Sequence, residues 1–475
     1  MPDKQSASPD AGLSAEFERA LGAIRARVSA WASEDGGDAP ATSIAIAYSG
    51  GLDSAVLLHL AHAHAASRGL RLHAFHIHHG LSPNADEWLR HCQQQCRQLG
   101  VPFEARRVTL DGTRGQGMEQ AARTARYAAL GDLCEAHAVA LLLTAHHLDD
   151  QAETVLLQLF RGSGVAGLSG MEPANRAPGL LGNARLVMGR PLLGTTRAAL
   201  EEFAAAHGIS HVEDESNADP RYARNALRHR VMPTVAAHFS GYQERIARSA
   251  SHARAAQRIL DEVAAQDLDR CGEGDSLRLS SLRGLSEDRC NNLLRYWLAS
   301  HGLRMPASAW LDEMRIQLFD AKDDARIRIT HADGEIHRHR DRIVLTRRFD
   351  DRDLQMPAID FRWNGEDHRR FDRFRGTLHF ERTSCGLDPA WLRGQPLQLR
   401  LRRAGDKLKL AGNRPTRSLK QHYQALGIPQ WERERLPIVA AQDRMLYAAG
   451  IGMHWHGPHC EANDGIALRW VADKI

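Results

Sequence analysis

Apolar residues in the first half of the chain come in short, dense runs separated by polar, glycine-bearing connections. Ser43-Ile44-Ala45-Ile46-Ala47-Tyr48 is apolar and β-rich, as a buried parallel strand should be. Ala55 to Ala61, with Val56, Leu57, Leu58 and Leu60, suits a helix packed on that strand. Leu70 to Ile77 predicts a second strand. The helix after it carries Trp88, Leu89, Cys92 and Cys96, is capped by Ser82 or Asn84 with Pro83 in its first turn, and is stopped by Gly100. Val101 to Val108 predicts a third strand, residues 111–117 a glycine-rich loop, and Met118 to His137 a helix. Val139 to Ala145 predicts a fourth, fully buried strand, and a further helix begins near Leu148. Strand and helix alternate at βαβ spacing, so the expected class is α/β, with a parallel sheet covered on both faces. Ligands in such sheets lie at the carboxyl ends of the strands.

Beyond residue 220 the pattern changes. Pro220 to Asp269 reads as helical, and a helical segment runs from Leu282 to Leu318, where Leu294, Trp297 and Leu298 recur at helical intervals. Short strands are expected from Ala325 to Arg348, and residues 349–357 read as a linker. The remainder reads as a small α+β module with a helix over Arg417 to Leu426. The expected organisation is a loose extension around one short helix (1–40), an α/β domain (41–235), a mainly helical segment (236–350) and the α+β module (351–475).

At 475 residues the chain is too long for one core. Its 43% hydrophobic and 25% charged content is that of a soluble globular protein. No apolar run is long enough to cross a bilayer, and the first residues lack the basic-then-apolar order of a signal peptide. The cysteines at 92, 96, 134, 271, 290, 385 and 460 form neither a disulfide framework nor a zinc pattern, which points to a reducing cytoplasm. A net charge of +4 does not by itself declare a nucleic-acid binder. Its distribution says more: Arg400, Arg402, Arg403, Lys407, Lys409, Arg414, Arg417 and Lys420 are interrupted by a single acid, Asp406. Such a run is either a solvated face or the footprint of phosphate contacts.

The candidate chemistry begins at Ser49-Gly50-Gly51-Leu52-Asp53-Ser54, between the first strand and helix. Paired glycines permit left-handed angles and close approach of a ligand to the backbone. Free amides of the helix's first turn favour an anion there, and the two serines add hydroxyls. Asp53 would repel a phosphate, so a magnesium ion between them is the natural reconciliation. An ordinary βα turn is the bland alternative. The full string nevertheless resembles the pyrophosphate loop (PP-loop) of the N-type ATP pyrophosphatases, which split ATP into AMP and pyrophosphate. That resemblance implies a five-stranded-type, Rossmann-like sheet, with Ser49 to Ser54 binding ATP. No GxxxxGK[ST] loop is present.

A second constellation is Ala145-His146-His147-Leu148-Asp149-Asp150-Gln151-Ala152-Glu153-Thr154. On a helix, His146, Asp149, Asp150 and Glu153 would share one face, while Ala152, Val155, Leu156 and Leu159 would pack on the sheet. An acidic helix face is usually only solvated. At a strand's carboxyl end it meets the phosphate site, so at least one of Asp149 and Asp150 is expected to join Asp53 as a magnesium ligand.

AHHLDDQAET resembles the tRNA(Ile)-lysidine synthetase family. So do Leu159 to Gly164, Gly167 to Met171, Ala122 to Tyr127, Arg190 to Leu193, Ser216-Asn217, Arg224-Asn225 and Arg228, in the family's order over about residues 43–235. The resemblance implies that ATP adenylylates C2 of the wobble cytidine in tRNA(Ile) with a CAU anticodon. The ε-amine of free L-lysine then displaces AMP and leaves lysidine. It also implies a role for Arg126, from the family's ARxxRY string, in neutralising the leaving pyrophosphate; the bland reading is a surface arginine. A lysine ε-amine is protonated at pH 7, and exposing its lone pair costs roughly 4–5 kcal/mol. Asp150 and Glu153 are the candidates to bind that ammonium and help remove its proton, and His146 to position the nucleotide or shuttle a proton. Reading the tRNA falls to the helical segment and to Arg402, Arg403, Lys407, Lys409, Arg414, Arg417 and Lys420. Dimers are familiar in the family, so a homodimer is a further expectation. The glycine-rich 161–170 segment is read as either a mobile lid or a plain connector. The competing readings are a tRNA 2-thiolating enzyme with the same loop, and a non-catalytic tRNA-binding protein with a vestigial nucleotide site.

Overall fold

The computed structural model describes residues 9–36, 43–78, 80, 82–109, 116–213, 223–322, 327–346, 348, 356–384, 386–455, 459–460 and 464–473. Ser216 and Asn217, and most of the loop at 111–117 and the linker at 349–357, lie outside the described residues. The chain divides into two compact units, Met1–Glu262 and Val263–Ile475.

The first unit is built from α1 (Pro9–Glu34), β1 (Ser43–Ala47), α2 (Leu52–Arg68), β2 (Arg71–His78), α3 (Ala85–Leu99), β3 (Phe103–Arg107), α4 (Gln116–Ala136), β4 (Leu141–Leu143), α5 (Leu148–Phe160), α6 (Val165–Leu168), β5 (Ala174–Arg176), α7 (Pro178–Leu181), β6 (Val187–Gly189) and α8 (Arg197–Ala206). It ends with α9 (Ala223–Ala226), a π-helical turn (Leu227–Val231), α10 (Met232–His238) and the first part of the long α11 (Tyr242–Cys271), within which the division between the units falls. The strand order is β3-β2-β1-β4-β6-β5. β1 pairs in parallel with β2 and β4, and β2–β3 and β4–β6 are parallel too. Five strands therefore make the expected parallel sheet, and β5 closes one edge antiparallel. Ile44, Ala45, Ile46, Leu141, Leu142 and Leu143 are fully buried, which is why these runs carry no alternation.

The N-terminal segment corrects its expectation. Instead of a loose extension around a short helix, α1 runs for 26 residues. It buries Leu13, Phe17, Leu21, Ile24 and Val28 in the same core as α2, β1 and α8. Their spacing of three and four residues is one helical stripe.

In the second unit come β7 (Gly272–Glu273), β8 (Ser276–Arg278), α12 (Leu279–Leu282), α13 (Glu287–Ser300), α14 (Ser308–Asp320), β9 (Ile327–Thr330), β10 (Glu335–His339) and β11 (Arg342–Thr346). The strands form an antiparallel sheet, β7-β8-β11-β10-β9, and Leu293, Leu294, Trp297 and Leu298 of α13 share its core with Leu311, Leu318, Ile336 and Ile343. There follow β12 (Ile359–Phe361), β13 (His368–Phe371), β14 (Gly376–Thr383), β15 (Gly386–Leu387), α15 (Pro389–Gly394), β16 (Leu397–Leu401), β17 (Lys407–Leu408), β18 (Arg417–Ser418) and α16 (Leu419–Ala425). The last elements are α17 (Gln430–Arg433), β19 (Pro437–Ala441), β20 (Arg444–Ala448), β21 (Gly452–Met453), β22 (His459–Cys460) and β23 (Gly465–Ala472). Here the order is α+β, with two five-stranded sheets, β12-β16-β19-β20-β21 and β13-β14-β23-β15-β22.

Candidate active site

The turn from β1 to α2 is shaped by what lies beneath it. Gly50 has φ +89°, and a Cβ there would stand 2.7 Å from Cys92 Sγ and 3.2 Å from Val212 Cγ2. No side chain is tolerated on either count, conformational or steric. Val212 N–H donates to Gly50 O (2.9 Å), fixing the loop from the other side. Gly51 precedes α2 with no side-chain cap, so the first amides of a 17-residue helix are left for a ligand. Ser54 Oγ donates to Gly51 O (2.9 Å) and lies 3.0 Å from Ser49 Oγ, holding the two hydroxyls together at the loop's mouth.

A cavity of about 840 Å³ opens at these strand ends. Ser49, Gly51, Leu52, Asp53, Ser54, Arg126, His146 and Asp150 all line it. Gly50, Asp149 and Glu153 stand outside the lining and support residues within it.

His146 is not on the acidic helix. His147 N–H donates to Asp150 Oδ2 (3.2 Å), which closes the first turn after His147, so α5 starts at Leu148. His146 stays on the connection from β4, where Thr144 Oγ1 lies 2.9 Å from its Nδ1. Burial drives its pKa down to about 3, so its ring is neutral at pH 7. The apolar stripe also differs from expectation. Ala152 and Leu156 pack with Leu227, Met232 and Tyr242 of the following helices rather than on the sheet, and Leu159 is exposed.

His147, which the sequence reading passed over, sits at the centre. It is 1% exposed, with Nε2 3.3 Å from Asp150 Oδ2 and 3.7 Å from Asp53 Oδ2, and Nδ1 3.6 Å from Asp149 Oδ2. Burial pulls its pKa down, but the three carboxylates outweigh burial and raise it. Asp53 is the opposite case. Burial raises its pKa against the pull of His147 and Arg197, and its Oδ1 is buried with no hydrogen-bond partner. An orphaned carboxylate oxygen beside an amide cradle is a donor waiting for a cation. No cluster of three or more His, Cys, Asp or Glu with metal-ligand geometry occurs among the described residues.

Asp149 and Glu153 are tied up elsewhere. Asp149 Oδ2 accepts from Arg197 N–H (2.8 Å) and Oδ1 from Gln243 Nε2 (3.1 Å), joining α5 to the starts of α8 and α11. Burial works against its ionised form, but those bonds and His147 keep its pKa below the usual carboxylate range. Glu153 is 2% exposed and gripped on both oxygens: Arg228 Nε reaches Oε1 at 2.6 Å and Arg224 Nε reaches Oε2 at 2.8 Å. The same arginines reach Asp150 Oδ1, at 3.0 Å from Arg228 and 3.2 Å from Arg224. Asp150 stays ionised as a result: burial opposes its charge, and His147 and the two guanidinium groups prevail. Arg224 and Arg228 were visible as a motif, and their i, i+4 spacing was the available signal; their partners lie more than 70 positions away.

The 161–170 segment is anchored. α6 occupies part of it, Arg254 Nη2 donates to Ser169 O (2.7 Å) and Met171 O (2.8 Å), and Gln151 bonds both N–H and C=O of Met171. The basic stretch belongs to the second unit. There Arg400 pairs with Asp406 at 2.8 Å, both nearly buried, and is a structural residue. Among the described residues no carboxylate pairs with Lys407, Lys409, Arg414, Arg417 or Lys420.

Residues 23–235 match the PP-loop domain family, residues 277–344 the TilS substrate binding domain and residues 397–470 the TilS substrate C-terminal domain. The chain is 41% identical over 444 residues to the tRNA(Ile)-lysidine synthase of Burkholderia pseudomallei (strain K96243), an alignment covering 87% of this chain and 89% of that one. Against the enzymes of the same name from Pseudomonas aeruginosa and Nitrosomonas europaea it is 41% and 36% identical. These alignments cover 86% and 92% of this chain, and 89% and 93% of those.

Proposed function

The chain belongs to the tRNA(Ile)-lysidine synthase family, and from that premise we propose how its residues divide the work. It is a ligase that uses ATP to form lysidine at the wobble cytidine of its tRNA. The thiolating and non-catalytic readings are not favoured. We propose further that the nucleophile is free L-lysine, that the RNA is tRNA(Ile) with a CAU anticodon, and that AMP and pyrophosphate are the other products. The observation that carries the site assignment is the orphaned Oδ1 of Asp53 beside the uncapped start of α2.

In this reading Ser49 to Ser54 hold the triphosphate tail through amides and hydroxyls, and Arg126, on the cavity wall, neutralises the departing pyrophosphate. Asp53 and Asp150 would hold magnesium, which when bound supplies positive charge at the phosphates. Asp149, outside the cavity lining and bonded to Arg197 and Gln243, is assigned to positioning instead, whereas Asp150 lines the cavity. His146, neutral and held by Thr144, offers a hydrogen bond to the nucleotide rather than a proton. For the second step Asp150 is the carboxylate that meets the ε-ammonium and helps remove its proton. Glu153, gripped by Arg224 and Arg228, keeps Asp150 in place and does not touch substrate.

We assign tRNA contacts to the segments from about residue 236 onward, with Arg402, Arg403, Lys407, Lys409, Arg414, Arg417 and Lys420 as the phosphate-facing cations. No helix among the described residues is long and apolar enough to cross a membrane. A cytoplasmic setting and a homodimer are proposals that rest on cysteine usage and on the family resemblance. The test is incubation of the protein with ATP, radiolabelled lysine and tRNA(Ile). Label in lysidine after nuclease digestion is the expected result; label nowhere in the RNA would overturn the reading.

A further inference from the structure

We infer that Trp455 is a stacking platform for an unpaired nucleobase of the bound tRNA; this rests on the reading that the C-terminal segment binds tRNA. Eight of the nine tryptophans are buried or half-buried, and Trp455 alone among the described residues is exposed, at 44%. A single exposed apolar side chain needs no explanation in general. This one is held in place. Its backbone N–H donates to Lys409 O (2.7 Å), and that of His454 to Leu446 O (2.8 Å), which fixes the backbone leading into the ring. The indole edge then lies on Gly412: a Cβ at that position would meet Cε2 and Nε1 at 3.1 Å and Cζ2 at 3.2 Å. A side chain there would press on the ring and displace it by a few tenths of an ångström.

The surface that holds the ring is the hairpin of β17 and β18, in which Lys407 pairs with Ser418 and Leu408 with Arg417. Its strands and connecting loop carry Lys407, Lys409, Arg414 and Arg417. No carboxylate among the described residues pairs with them, while the one nearby acid, Asp406, is neutralised by Arg400. An exposed aromatic ring among unpaired cations is the combination that binds single-stranded nucleic acid: cations follow the backbone and the ring receives a base. A paired stem keeps its bases inside the helix and offers a ring nothing to stack on, so the partner is an unpaired stretch of the RNA.

The test is equilibrium binding to the full-length chain, measured over a range of salt with tRNA(Ile), a single-stranded RNA oligonucleotide and a blunt RNA duplex. Stacking on one aromatic residue predicts that Trp455→Ala weakens tRNA and single-strand binding roughly 5- to 150-fold. The salt dependence should stay as it is, because no phosphate contact is lost. Duplex binding should not change, Trp455→Phe should retain most of the affinity, and Gly412→Ala should shift binding in the same direction as Trp455→Ala by a smaller factor, because it displaces the ring without removing it. Wild-type tRNA affinity in Trp455→Ala, or equal losses for duplex and single strand, would overturn the inference while leaving lysidine formation by the wild type intact. A wild-type chain that binds no tRNA would overturn both readings.

Discussion

Arginine is used in opposite ways in two regions, the cavity of the first unit and the basic run of the second. In the first, Arg224 and Arg228 spend their donors on Asp150 and Glu153, and the backbone N–H of Arg197 goes to Asp149. In the second, Arg414, Arg417, Lys407 and Lys420 face solvent and Lys409 is half-buried, all with no carboxylate partner among the described residues. A buried, paired cation gives orientation: its field and geometry fix a carboxylate that must be in one place. An exposed, unpaired cation gives reach: it is weakly held, heavily hydrated and available to a polyanion. Arg400 is the instructive exception. It stands in the basic run but belongs by its contacts to the first kind, since Asp406 takes both ends of its guanidinium.

The largest expected effect separates chemistry from binding. Asp53→Asn should lower lysidine formation on the order of 10²–10³-fold or more, while tRNA affinity and the unfolding midpoint hold. A loss of tRNA affinity to match would assign Asp53 to RNA binding instead.

Next come the paired arginines. Arg228→Ala leaves Glu153 buried with half its charge compensation. For a fully buried pair that change costs ~3–5 kcal/mol, and less here because both guanidinium groups are about a quarter to a third exposed. Denaturant unfolding should show the loss, and Arg228→Lys should restore only part of it, since an ammonium cannot fork across two carboxylates. An unchanged midpoint would mean that the cluster does not position α5.

A smaller effect is expected from the unpaired set. Replacing Lys407, Arg414 and Arg417 by alanine should leave stability within about 0.5 kcal/mol and reduce the salt slope of tRNA binding by about one per residue lost. An unaltered slope would remove them from the RNA interface. The smallest concerns Asp406. Burial raises its pKa, but Arg400 and the Arg403 amide lower it more, so the folded value lies below the unfolded one. Its contribution to stability is therefore present above pH ~3.9 and is lost as pH falls through the folded value. Asp406→Asn should flatten the acid limb of the stability curve, and an identical acid limb in the variant would place that titration elsewhere.

Much of the first unit was legible because its signals are local. Ser49 to Ser54 follow a strand and precede a helix, and each apolar run from Ile44 to Leu143 can be read without knowing its neighbours. What escaped depended on contacts across the chain. His147 could not be told from His146 until the start of α5 was fixed, and that start depends on one bond to Asp150. Leu159 is expected on the sheet face, yet α5 packs on the π-helical turn, α10 and α11 and leaves it in solvent. Glu153 looked like a free acid because its partners are over 70 residues away. The stripe from Leu13 to Val28 was present in the sequence, but the polar residues ahead of it drew the reading toward a loose extension.

The account turns on Asp53 acting at the phosphate end of ATP, and pyrophosphate exchange measures that directly. With tRNA(Ile) present and lysine withheld, the wild type should return labelled pyrophosphate to ATP, and the Asp53→Ala protein should not, although it remains folded and binds tRNA. Exchange at the wild-type rate by Asp53→Ala would contradict the account.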